Sequence, residues 1–78
     1  TDTRENMATV YSKTKQYDRA LEQYKSILRY KRENKEDAGV SITLMNIGYI
    51  YEKLGKLRSA LEHYSESLKI LYRIDDSK

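Results

Sequence analysis

The feature that most restricts this chain is that it lies on itself. Displaced by 40 residues, it pairs Thr3 with Thr43, Asn6 with Asn46, Tyr11 with Tyr51 and Lys13 with Lys53. Further on it pairs Ala20 with Ala60, Leu21 with Leu61, Glu22 with Glu62, Tyr24 with Tyr64 and Leu28 with Leu68, nine identities in 38 aligned pairs. Among the other pairs, Met7 with Ile47, Ala8 with Gly48, Val10 with Ile50 and Tyr17 with Leu57 keep an apolar or small character. A fixed period of this size marks stacked copies of one supersecondary unit. Two repeats, 1–40 and 41–78, then make a single domain.

Hydrophobic periodicity says what each unit is. Leu57, Ala60, Leu61, Tyr64, Leu68 and Leu71 fall on one face of a helix, with Glu62, His63, Glu66 and Lys69 turned away. Leu44, Ile47, Gly48, Tyr51 and Leu54 make a second such face, and Gly55 between them is a natural helix stop. Two amphipathic helices joined by so short a turn pack antiparallel. The first half repeats this with Met7, Val10, Tyr11 and Thr14, then Tyr17, Ala20, Leu21, Tyr24 and Leu28. The spacing predicts helices over 2–14, 17–33, 38–53 and 57–74, with the polar stretch Asn34 to Gly39 as the connection between halves. The expected fold is all-α, a solenoid of two helical hairpins. Its expected core is Met7, Ala8, Tyr11, Tyr17, Ala20, Leu21, Tyr24, Leu28, Leu44, Ile47, Gly48, Tyr51, Leu57, Ala60, Leu61, Tyr64 and Leu68.

Composition removes most other readings. With no cysteine, the chain has no disulfide staple, no zinc finger and no thiol nucleophile. One histidine, His63, excludes the usual multi-histidine metal sites, and three glycines exclude a glycine-rich phosphate loop. No stretch approaches the length of a membrane span or a signal-peptide core. No nucleophile, base and orienting group can be assembled, so catalysis is not expected. No metal or cofactor is expected either. The net charge of +3 says little about partners.

Ile47-Gly48, Tyr51, Gly55, Leu57, Ala60, Tyr64 and Leu68 resemble the tetratricopeptide repeat, and Met7-Ala8, Tyr11, Tyr17, Ala20-Leu21, Tyr24 and Leu28 carry the same pattern in the first half. The resemblance covers essentially the whole chain. It departs at the usual tryptophan (Arg4 and Leu44), at the usual second-helix alanine (Ile27 and Ser67) and at the usual proline (Arg32 and Tyr72). The period of 40 is six longer than the common one. The extra residues are expected to lengthen the second helix and its exit loop. This is similar to the long-repeat branch of the family, for which Met45-Asn46-Ile47-Gly48-Tyr49-Ile50-Tyr51 is typical. The resemblance implies a non-catalytic, protein-binding scaffold in the cytoplasm.

It also implies where a partner sits. The first helix of each unit would line the concave side through Asp2, Glu5, Asn6, Thr9, Ser12 and Lys13, and through Ile42, Met45, Asn46, Tyr49, Glu52 and Lys53. Asn6 and Asn46 share one repeat position, and a carboxamide both donates and accepts, so it can clamp a peptide backbone. In the long-repeat branch asparagines at this position do so. Met45 and Tyr49 would supply apolar contacts. The expected peptide-binding set is Asn6, Thr9, Lys13, Ile42, Met45, Asn46, Tyr49 and Lys53. Glu5 and Thr9 stand where the carboxylate clamp of the chaperone-binding branch needs Lys and Asn, so that variant is not expected.

Two further surfaces compete. The run Arg29 to Lys35 is basic, but Glu33, Glu36 and Asp37 interrupt or follow it, and cations in a last helical turn also suit the macrodipole. Nucleic acid is therefore not an expected partner. Self-association is the stronger rival. The last helix grows apolar toward its end with Ile70, Leu71, Tyr72 and Ile74. Such a patch invites a homodimer or a hairpin swap. Because solenoids generally need three or more units, the chain is expected to be an excerpt of a longer array or to complete its core with another copy.

Overall fold

The structure is a computed structural model, and it describes residues 3–76. Four helices follow one another: α1 (Thr3–Lys13), α2 (Tyr17–Glu33), α3 (Asp37–Lys53) and α4 (Leu57–Asp76). The expected start at residue 2 and the expected groove position Asp2 lie outside the described residues.

Three connections of three residues each join the helices, and all three are the same turn. Lys15, Lys35 and Gly55, spaced twenty apart, take positive φ of 62°, 56° and 78°. At each, the following N–H reaches back across the turn: Gln16 to Tyr11 O, Glu36 to Lys31 O and Lys56 to Tyr51 O. The left-handed residue itself donates to Ser12 O, Arg32 O or Glu52 O. This is the Schellman closure of a helix C-terminus. The next helix begins at once, since Gln16, Glu36 and Lys56 accept from Ala20, Val40 and Ala60 N–H. The expected connection over Asn34 to Gly39 is thus shorter than the sequence suggests. Asn34 to Glu36 make the turn, and Asp37, Ala38 and Gly39 are already helical. Lys35 closes the turn without glycine, so the extra residues of the long period lie in helix rather than in loop.

Consecutive short turns make neighbouring helices antiparallel, and the molecule is a slab of 38 × 28 × 16 Å. α2 packs on both α1 and α3, and α3 packs most extensively on α4. Two cores result. Ala8, Ala20, Tyr24, Ile27, Ile47 and Ile50 form the first, flanked by Tyr11, Tyr17, Leu21, Leu28 and Tyr51. Val40, Leu44 and Ile70 form the second, flanked by Leu28 and Ile74. Leu28 belongs to both and ties them together.

The small residues sit where backbones approach. Ala8 and Ala20 are fully buried, and Ala60 nearly so. A Cβ on Gly48 would stand 2.9 Å from Cε1 of Tyr64, so the ring lies directly on the α3 backbone. Deeper along the same seam, Ser67 Oγ donates to Ser41 O at 2.9 Å, and the two hydroxyls meet at 2.8 Å. Both serines are buried with their polar groups paired. Serine at the expected alanine position 67 is therefore accommodated by a partner on α3.

Four expected core residues are exposed: Met7, Leu57, Leu61 and Leu68, at 40%, 62%, 65% and 53%. For Leu61 and Leu68 the reason is a missing neighbour. Leu21 and Leu28 hold the same register in the first repeat and pack on the first core, to which α3 contributes Ile47 and Ile50. Among the described residues no helix covers Leu61 and Leu68 in the same way. In their place Ile27, Val40, Ile50 and Ile70 complete the interior.

Candidate functional site: the groove between α1 and α3

α1 and α3 point the same way on top of α2, and a groove of about 380 Å³ opens between them. α1 contributes Glu5 and Thr9. α2 gives the floor, Tyr24 and Ile27, and one end, Lys31. α3 contributes Gly39, Ile42, Thr43 and Asn46. Ile27 and Tyr24 are buried in the first core, so the floor is rigid and apolar.

The polar groups above that floor differ in what they have left to offer. Thr9 donates to Glu5 O and Thr43 to Gly39 O, so each hydroxyl has spent its proton within its own helix and keeps lone pairs. Asn46 is half-buried, and its carboxamide makes no side-chain hydrogen bond among the described residues. It therefore presents both a donor and an acceptor into the groove. Ile42 is 60% exposed beside it, an apolar side chain on an otherwise polar rim.

Lys31 closes one end. Its stem lies across Gly39, where a Cβ would meet Cδ at 2.9 Å, and its ammonium stands 3.9 Å from Glu5 and 3.5 Å from Glu36. A long cation can cover apolar surface with its methylenes and keep its head among polar groups. The trio carries one net negative charge. The rest of the basic run is dispersed: Arg32 pairs with Glu66 of α4, and Asn34 donates to Tyr30 O.

Of the expected binding residues, Thr9, Ile42 and Asn46 line this groove. Met45 does not. It faces a different concavity with Tyr64, Ser67, Leu68 and Leu71. Asn6, Lys13, Tyr49 and Lys53 are exposed and do not line the groove, and the Lys53 ammonium sits over the Tyr49 ring at 5.2 Å. Lys31, Gly39 and Thr43 line the groove as well and lie outside the expected set. Lys31 was detectable, because it falls four residues after Ile27 on the apolar stripe of α2, where a cation is out of place.

Elsewhere, Tyr64 donates to Glu52 Oε1 at 3.1 Å. Burial, then that hydrogen bond and the Glu52 charge, with a smaller contribution from Tyr49, push the Tyr64 phenol above its ordinary value of 10.0. His63 Nδ1 donates to Ser59 O at 2.7 Å, and its ring leans on Tyr51 at 5.1 Å. Among the described residues no group of three or more His, Cys, Asp or Glu could hold a metal ion, and no helix is long and apolar enough to cross a membrane.

Stacked helical hairpins, a small-residue seam in each and a groove over the inner helices define an α-solenoid repeat protein. The tetratricopeptide repeat profile matches residues 2–73, and the chain belongs to that family. Searches of curated proteins and of solved structures returned no match. The family is generally a protein–protein interaction module and typically a non-catalytic scaffold.

Proposed function

We propose that the chain holds an extended segment of a partner protein in the groove between α1 and α3. Asn46 takes the partner's backbone through its donor and its acceptor. Ile42 and the Tyr24–Ile27 floor take an apolar side chain, and Thr9 and Thr43 accept from backbone N–H groups. Glu5 disfavours a free C-terminal carboxylate, so the segment is an internal one. The observation that carries this reading is the Asn46 carboxamide, without a hydrogen bond among the described residues, over a preformed apolar floor, because binding to a preorganised site spends little on ordering.

The test needs a probe. A peptide is selected from a random displayed library on the immobilised chain, labelled, and titrated by fluorescence anisotropy. Asn46→Ala is expected to weaken it about 5- to 30-fold, the loss of a paired amide, with helicity unchanged. A selected peptide that binds the N46A and Ile42→Glu variants as tightly as the parent chain would remove this reading.

A further inference from the structure

The face that holds Met45 has a counterpart within the chain. Moved back by one period, Met45, Tyr64, Ser67 and Leu71 fall on Glu5, Tyr24, Ile27 and Lys31, which are the α1 and α2 side of the groove. In the first repeat this face is occupied: α3 lies along it and buries Ile47 and Ile50 completely against Ala8, Ala20, Tyr24 and Ile27. In the second repeat three positions of this face turn apolar, Glu5 to Met45, Thr9 to Tyr49 and Lys31 to Leu71, while Ile27 becomes Ser67, already buried against Ser41. Yet Met45, Tyr49, Leu68 and Leu71 stand 41–53% exposed.

The occupant that fits is also in the chain. Ile47 and Ile50 of α3 correspond to Met7 and Val10 of α1, and these two apolar residues are 40% and 50% exposed. We propose that a second copy of this chain docks its α1 on the α3–α4 face of the first, repeating between copies the interface that α3 makes on the first repeat. This continues an interface the structure already contains, in the same register. The interface is heterologous, so its two halves lie on opposite edges of the molecule and association adds copies head to tail. One position opposes it: Arg4 stands where α3 has the buried Leu44. The Arg32–Glu66 pair also has no charged counterpart, because one period on it becomes Tyr72 opposite Ser26 of the second copy.

The docking would complete a second groove. Asn6 of the incoming α1 would take the place that Asn46 holds beside Glu5, now beside Met45, and the two asparagines would form one row across the copies. This last point rests on the groove proposal. The docking itself does not, and it is tested without peptide.

Sedimentation velocity of the 78-residue chain across concentration is the measurement, with two variants. Leu71→Glu damages only the receiving face, and Val10→Glu only the incoming helix. Both sites are exposed, and circular dichroism verifies folding. The parent chain is expected to grow past dimer as concentration rises. Each variant alone is expected to weaken association by at least about tenfold. The two variants mixed are expected to recover a one-to-one dimer, because each retains the half the other lacks. A parent chain that stays monomeric at high concentration overturns the proposal. So does a V10E chain that dimerises as the parent does, which would mean a symmetric dimer through the apolar face. Association insensitive to both substitutions would indicate a hairpin swap and overturn it equally.

Discussion

Two glycines in α3 make opposite predictions for one substitution. At Gly48, alanine gains about 0.8–1 kcal/mol of helix propensity. Its Cβ, however, would stand 2.9, 3.0 and 3.1 Å from three ring atoms of Tyr64. That ring is no free end: its hydroxyl is held by Glu52, and it lies against the α3 backbone. Overpacking of this kind costs about 1–3 kcal/mol, so Gly48→Ala is expected to destabilise by about 1 kcal/mol net. For a domain of this size that lowers Tm by about 4–8 °C. At Gly39 the three atoms nearest the added Cβ are all Lys31 methylenes, Cδ at 2.9 Å. That stem can swing aside, and Gly39→Ala is expected to stabilise by about 0.5 kcal/mol, less than the full propensity because it lies in the first turn. Urea unfolding followed by circular dichroism measures both. The check on cause is a double-mutant cycle: in a Tyr64→Leu background, G48A should become neutral or stabilising. A G48A chain as stable as G39A, or an undiminished cost in the Y64L background, would refute the close-approach explanation.

The turns and the phenol give two further tests. Lys35→Gly should stabilise by about 0.5–1 kcal/mol in the same urea assay, because its φ of 56° is one that glycine adopts without strain. Tyr64→Phe should flatten the loss of stability at high pH. The folded phenol keeps its proton above the value at which the unfolded one ionises, so its contribution is complete below about pH 10 and is lost as pH rises through the folded value. Equal slopes of stability against pH for the two chains, from about pH 9 to about 11, would contradict this.

What could be read from sequence was register. Ala8, Ala20, Ala60, Leu44 and Ile47 are buried as their spacing requires, because small and apolar residues at helical intervals have one packing solution in a hairpin. What could not be read was burial that depends on the next helix along. Leu21 and Leu61 are the same residue in the same register, but only Leu21 packs on the core that α1, α2 and α3 build together, and Leu61 is exposed. α3 itself is apolar on most sides, so a period of 3.6 leaves Ile42 and Met45 outside the expected interior but does not bring Val40 and Ile50 into it. The second turn is hidden in the sequence because Lys35 takes the left-handed region without a glycine to mark it. The groove was legible in part for a related reason. Thr9 of α1 and Ile42 and Asn46 of α3 follow from register, whereas Gly39 and Thr43 lie off the expected stripe and Lys31 enters from α2.

We place the partner segment in the groove between α1 and α3, across the Asn46 carboxamide. Titration of the isotopically labelled chain with the selected peptide, followed by NMR, tests it most directly. The expected shifts cluster on Thr9, Ile42 and Thr43 and on the side-chain amide of Asn46, with those of the exposed outer face of α2 unmoved. Shifts confined to the Leu68–Leu71 face, or an Asn46 amide that does not respond at saturation, would contradict it.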